Sequence, residues 1–163
     1  MIKSICLNQR AKLGKKVTKH CTYKEARTIG ILYNMDEFDE EVLSKLIIIF
    51  QGDGKTIAKL GYTDRLDVPE KSKNFIFTKK DISNIGVIKN DHISFFIRQT
   101  FDFLISMDSS QNINYKYILA ISKASCKVGL ETESYKDLLL MSIKQGKQKS
   151  ESALSLVKYL KMI

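Results

Sequence analysis

The sequence predicts an α/β domain: a three-layer, mostly parallel sheet with helices on both faces, preceded by a basic N-terminal arm. Two patterns carry this expectation. From Arg27 onward, short β-branched apolar runs alternate with segments whose apolar residues repeat at helical spacing. Several of those runs are continuous rather than alternating, as strands covered on both faces are. The length, 163 residues, fits one domain that buries a core without disulfides or metals.

The elements follow in order. Residues 28–33, Thr-Ile-Gly-Ile-Leu-Tyr, read as a buried strand. Asn34 or Asp36 is the expected cap of the next helix, and the acids from Asp36 to Glu41 suit its positive end. Phe38, Val42, Leu46 and Ile49 form its buried face, and Gly52-Asp53-Gly54 ends it. Residues 56–62 are a second strand and 74–78 a short third, separated by a charged loop with the single proline, Pro69. Residues 79–90 read as a helical turn with a loop. Asp91 then caps a helix bearing Ile93, Phe96 and Ile97, with Phe101 at its end.

Residues 102–107 are a fourth strand and 114–125 a helix presenting Tyr115, Ile118, Leu119 and Ser122. A fifth strand is expected at 126–130 and a sixth within 135–143. The chain closes on an amphipathic helix over 148–163, with a stripe of Ala153, Leu156, Val157, Leu160 and Ile163. Alternation of this kind implies right-handed βαβ units and a Rossmann-like sheet. Residues 1–25 are assigned to the arm and 26–163 to the single domain. Ile2, Cys6, Leu13 and Val17 make only a weak stripe, broken by Gly14, so the arm is expected to be a partly helical appendage rather than a core element.

Charge is concentrated at the ends. The net charge is +9, of which residues 1–27 carry +7 and residues 144–163 carry +4, leaving the remaining body slightly acidic. Such a distribution points to an electrostatic arm or helix meeting a polyanion. Arg10, Lys12, Lys15, Lys16 and Lys19 are the expected phosphate contacts, with RNA or a ribosome as partner. Three cysteines without a CxxC suggest a reducing compartment, and the location is expected to be cytoplasmic. No apolar run reaches the ~20 residues of a membrane span. Cys6, His20 and Cys21 are a conceivable metal set, but they lack a fourth ligand and the paired spacing of zinc sites, so no metal is expected.

Motifs for chemistry are missing. Gly54-Lys55-Thr56 ends like a phosphate loop, yet Ile49 occupies the position of the required first glycine. The segment also joins a helix to a strand, the reverse of that motif. No GxGxxG follows the first strand, no cofactor is expected, and neither His20 nor His92 sits in a catalytic pattern. Position alone marks a strand-end crevice where such sheets bind ligands, with Asn34, Asp36, Thr63, Asp64, Ser106, Asp108 and Ser109 around it. Helix caps and turns require the same residue types.

Two stretches carry a resemblance. Ala26-Arg27-Thr28-Ile29-Gly30-Ile31-Leu32-Tyr33 after a basic leader, then Lys59-Leu60-Gly61-Tyr62, resembles a Bacteroidota family of small domains of unknown function. The block from Phe101-Asp102-Phe103-Leu104-Ile105-Ser106-Met107-Asp108 through Tyr117-Ile118-Leu119-Ala120-Ile121-Ser122-Lys123-Ala124 to Lys127-Val128-Gly129-Leu130 fits that family too. That resemblance implies no activity. The same late block is distantly similar to the N-terminal half of heptosyltransferase-type glycosyltransferases. Those enzymes have a glycine-containing loop where this chain has Asn34-Met35-Asp36, and they need a second domain to hold the donor.

The reading that follows is a non-enzymatic module touching RNA or a ribonucleoprotein through its arm. The alternatives are a small-ligand or vestigial transferase-like half domain using Asp36, Asp64, Ser106 and Asp108, and a protein-interaction scaffold using the sheet edge or last helix.

Overall fold

A computed structural model describes residues 2–12, 21–68 and 75–163. In these, six parallel strands form one sheet: β1 (Thr28–Asn34), β2 (Thr56–Tyr62), β3 (Ile76–Phe77), β4 (Thr100–Met107), β5 (Lys123–Leu130) and β6 (Met141–Ile143). Their order is β3-β2-β1-β4-β5-β6, the order of a Rossmann-type sheet. The helices are α1 (Ile2–Lys12), α2 (Glu40–Gly52), α3 (Asp91–Arg98), α4 (Ile113–Ile121) and α5 (Lys149–Leu160).

Strand composition and topology place the layers. The chain runs outward from β1 to β2 and β3, then returns to β4 and runs outward the other way. Right-handed crossovers therefore put α2, which joins β1 to β2, and α4, which joins β4 to β5, on opposite faces. One face packs Ile29, Ile31, Tyr33, Phe103, Ile105 and Val128 against α2 and α5. The other packs Leu32, Leu60, Phe101 and Leu104 against α1, α3 and α4. β1 and β4, paired from Ile29↔Phe103 to Tyr33↔Met107, form the fully buried centre. At the next pair outward, a side chain on Gly129 would lie 2.8 Å from Ser106 Cβ and press on the Ser106 carbonyl, so only glycine lets β5 close on β4 there.

The fold class stands as expected, with differences at its joints. The cap of α2 is Asp39, whose carboxylate accepts from Val42 N at 2.9 Å. Asn34 and Asp36 are committed to the strand-end network described below. The cap of α3 is Asn90, not Asp91, and Phe101 belongs to β4. α4 stops at Ile121, because Ser122 turns its hydroxyl back to Ile118 O and β5 begins at Lys123. Tyr135 to Leu139 form turns that bury Tyr135, Leu138 and Leu139, and only 141–143 pair with β5. Ile163 lies beyond α5 and is exposed.

The largest correction concerns the N-terminus. Residues 2–12 form a core helix and not an appendage: Leu7 and Ala11 are fully buried, and α1 packs along α4. The pattern was hidden because the buried stripe is narrow, with Leu7 and Ala11 one turn apart, while another apolar residue, Ile5, faces outward. Lys15, Lys16, Lys19 and His20 lie outside the described residues.

If α1 is part of the core, Leu7→Ala should cost about 2–4 kcal/mol in urea denaturation, the usual range for a fully buried leucine. An appendage would give a change within roughly 0.5 kcal/mol.

Candidate functional site

Two regions gather the candidate functional side chains. The first is a basic face built from α1 and the segment between β3 and α3. Thr78 caps a short helical turn, Lys79–Asp81, and the Asp81 carboxylate is turned inward to accept from Thr78 N at 2.8 Å and Thr78 Oγ1 at 3.1 Å. A tight loop follows. Ser83 N donates to Val87 O, Gly86 N donates to Ser83 O, and Gly86 adopts φ +81°, which glycine tolerates and side chains resist. Tyr117 of α4 pins the loop by donating to Gly86 O at 2.8 Å.

α1 docks on this segment through Lys3, whose ammonium donates to Lys79 O at 2.8 Å and Ile82 O at 2.7 Å. The Arg10 side chain lies against Gly86. Lys3, Arg10, Lys79 and Lys89 therefore share one face, while Lys80 lines a separate shallow pocket with Ile76, Thr78 and Asn90. Burial, then the like charges of Lys89 and Lys79, hold the Lys3 pKa below the ordinary lysine range. Of the five basic residues expected from sequence, Arg10 joins this face. Lys12 is exposed about 200° further round the helix. Lys79, Lys80 and Lys89 went unassigned, although the Lys79-Lys80 doublet in an otherwise acidic body was a signal for them.

The second region is the strand-end crevice where β1 and β4 diverge. Asp108 is fully buried and meets four uncharged donors: Asn34 Nδ2 at 2.7 Å, Ser110 Oγ at 2.7 Å, Gln111 N at 3.2 Å, and the Tyr135 hydroxyl. Burial and then the Asp108 charge raise the Tyr135 pKa far above its usual value, so this hydroxyl stays a donor. Asp36 accepts from Thr63 Oγ1 at 2.8 Å and Asp64 N at 3.0 Å, and pairs with Arg65 at 3.2 Å. Asp64 accepts from the Tyr62 hydroxyl at 2.6 Å and from Asn112 Nδ2 at 3.3 Å.

Glu37, absent from the expected set, ties the two halves by accepting from Ser109 N at 2.7 Å and Ser109 Oγ at 2.8 Å, with Lys149 3.5 Å away. The structure thus gathers Asp36, Asp64 and Asp108 at one end of the sheet. Ser106 lies below them inside β4, its hydroxyl 3.1 Å from the Tyr115 hydroxyl, which donates to Leu32 O at 2.6 Å.

Most of this crevice is filled by its own hydrogen bonds. What stays open is a shallow cavity of about 380 Å³ past β4, β5 and β6, lined by Gln111, Thr132, Glu133 and Lys144. Thr132 Oγ1 is buried there without a protein partner, and Gln111 holds a left-handed φ of 59°. Among the described residues, no three His, Cys, Asp or Glu side chains gather to hold a metal, and no helix is long and apolar enough to cross a membrane.

Lys127 is a further buried charge. It leaves β5 towards α4 and donates to Leu119 O at 2.8 Å and Ala120 O at 2.9 Å, neutralising the carbonyl end of that helix. Burial nevertheless pushes its pKa down to about 8.

The fold and these two regions define a class: a Rossmann-ordered α/β domain whose strand-end carboxylates bond to the protein itself and which bears a basic face beside α1. A family model described as a family of unknown function, DUF6913, matches residues 2–163, and the chain belongs to that family. No curated protein and no solved structure gives a significant match.

Two measurements check the electrostatics. Asp108→Asn turns an acceptor into a partial donor facing four donors, and should cost about 2–3 kcal/mol in urea denaturation. For Lys127 the unfolded chain holds more protons than the folded one between pH 8 and 10.5. Its contribution therefore rises with pH across that window and falls as pH drops through 8. The stability of the wild type relative to Lys127→Met should rise from pH 7.5 to 10, by at most roughly 3 kcal/mol. A flat difference would mean that the helix-end carbonyls fully offset burial.

Proposed function

We propose that this protein is a non-catalytic α/β module that contacts RNA or a ribonucleoprotein electrostatically. The observation that carries the reading is the convergence of Lys3, Arg10, Lys79 and Lys89 from two separate segments onto one face. Gathering like charges costs electrostatic energy, which close-set phosphates relieve. Such contacts release counterions and position the protein without reading bases. Folded RNA brings phosphates of several strands close together, which suits a patch better than a stripe. The lysines at 15, 16 and 19 extend the positive charge of the N-terminal region.

A second reading places a small polar ligand at the strand ends. The buried Thr132 hydroxyl beside the cavity of about 380 Å³ favours it, since an unpartnered buried polar group gains from a ligand that bonds to it.

The test is a titration of labelled structured RNA at several salt concentrations, with the full chain beside a Lys79→Gln, Lys89→Gln variant. Affinity should fall steeply with salt, and the slope of log K against log salt should shrink by roughly 0.7–0.9 for each lost phosphate contact. Absence of binding at low salt, or equal binding by the variant, would remove the proposal. Binding of a small ligand at the strand ends would survive both salt and these substitutions.

A further inference from the structure

The ends of β5 and β6 bring two opposite charges side by side without joining them. Leu130 pairs with Ile143 and Glu131 N donates to Ile143 O at 2.7 Å, so the register continues to Glu131 beside Lys144. Neighbouring strands lie about 4.8 Å apart. Yet among the described residues neither of these two side chains makes an ion pair. Both are exposed, and both line the cavity of about 380 Å³ at the strand ends. The third charge there, Glu133, is already held by Lys136 at 2.8 Å.

Thr132, between the two carboxylates in sequence, is only 8% exposed. Its carbonyl opens a turn by accepting from Tyr135 N and Lys136 N, both at 3.1 Å. At such a position a threonine hydroxyl ordinarily accepts from an amide of the same turn. Here Thr132 Oγ1 has no protein partner, and a buried hydroxyl left so costs free energy that a bond to a ligand recovers. Gln111 reaches the cavity from the loop after β4, its backbone fixed by the bond from its N–H to Asp108 Oδ2 at 3.2 Å. Gln145 adds a second amide, and among the described residues no aliphatic or aromatic side chain lines the cavity.

We propose that this cavity binds a free α-amino acid with a short polar side chain, which presupposes that the strand ends, and not the basic face alone, take a ligand. One unpaired carboxylate and one unpaired ammonium sum to zero. The site therefore fits a ligand that is neutral in sum and carries one charge of each sign. The ligand ammonium donates to Glu131, and its carboxylate accepts from Lys144 Nζ and the Thr132 hydroxyl. On an α-amino acid both charges hang from one carbon, which matches two side chains on adjacent strands. The amides of Gln111 and Gln145 suit a hydroxyl or amide side chain, whereas an apolar one would meet no apolar wall. A phosphate would face Glu131, and a neutral sugar would leave both charges without a partner. The volume lies at the small end of ligand sites, which run from about 300 to 1,000 Å³.

The probes are serine, threonine, asparagine and glutamine, each added to isotope-labelled full-length protein and followed by amide shifts. One or more should bind, with shifts centred on residues 109–111, 131–133 and 144–145. The N-acetyl derivative and the methyl ester of that amino acid each lack one charge and should bind roughly ten-fold more weakly. Glu131→Gln and Lys144→Gln change exposed side chains, so both should fold normally and lose affinity by a similar factor. Thr132→Val keeps the shape, removes the unpartnered hydroxyl and should weaken binding without lowering stability in urea. Saturable shifts at these residues with glucose or inorganic phosphate, but with no amino acid, would overturn the ligand class and leave a strand-end site standing. So would equal binding of the acetylated and esterified forms, or unchanged affinity in the Glu131 and Lys144 variants. If none of these probes moved the strand-end amides at millimolar concentration, the site and its ligand would both fall.

Discussion

The bond from Asn34 Nδ2 to Asp108 Oδ1, 2.7 Å long and fully buried, closes the point where the two halves of the sheet part. β1 and β4 are covered on both faces, so polar groups at their ends have little access to water and take partners from the protein. Ser110, Gln111 and Tyr135 complete the shell of Asp108, and Glu37 bridges to Ser109 across the same junction. The tyrosines belong to the same scheme. The Tyr115 hydroxyl joins Leu32 of β1 to Ser106 and Met107 of β4, which fixes α4 against both central strands.

Closing the crevice in this way turns attention to the surface. In a sheet of this order the ligand ordinarily enters at the strand ends, but here those side chains mostly bond one another. One exposed feature is cationic, where α1 docks on the segment before α3 and its Lys3 meets two backbone carbonyls. Another is apolar, where Phe75 and Phe95 stand exposed at a cavity of about 510 Å³.

Lys127 and Lys3 illustrate how the same residue type is used differently from its neighbours on the surface. Each gives its ammonium to backbone carbonyls that would otherwise lack a donor, Lys127 at the end of α4 and Lys3 at Lys79 and Ile82. Burial lowers the pKa of both, and nearby lysines add to the effect at Lys3. A count of basic residues along the chain treats all of them alike.

The order of strands and helices was legible in the sequence because it rests on periodicity, a local property. The run at 28–33 and the whole of β2 at 56–62 appear where their short apolar runs put them. So does the buried face of α2, although its cap moved to Asp39. The strand-end position of Asp36, Asp64 and Asp108 was legible for a similar reason, since it follows from the order of elements along the chain. What bonds those carboxylates was not, because Asn34, Tyr135 and Ser110 reach Asp108 from loops whose approach depends on the sheet order. The burial of α1 was hidden too: Leu7 and Ala11 are a modest stripe until α4 offers a surface to receive them. Sequence alone determined which segments are strands and helices and how charge is divided along the chain. Tertiary structure decided which charges stand together and which carboxylates are already satisfied, because those depend on contacts between residues far apart in sequence.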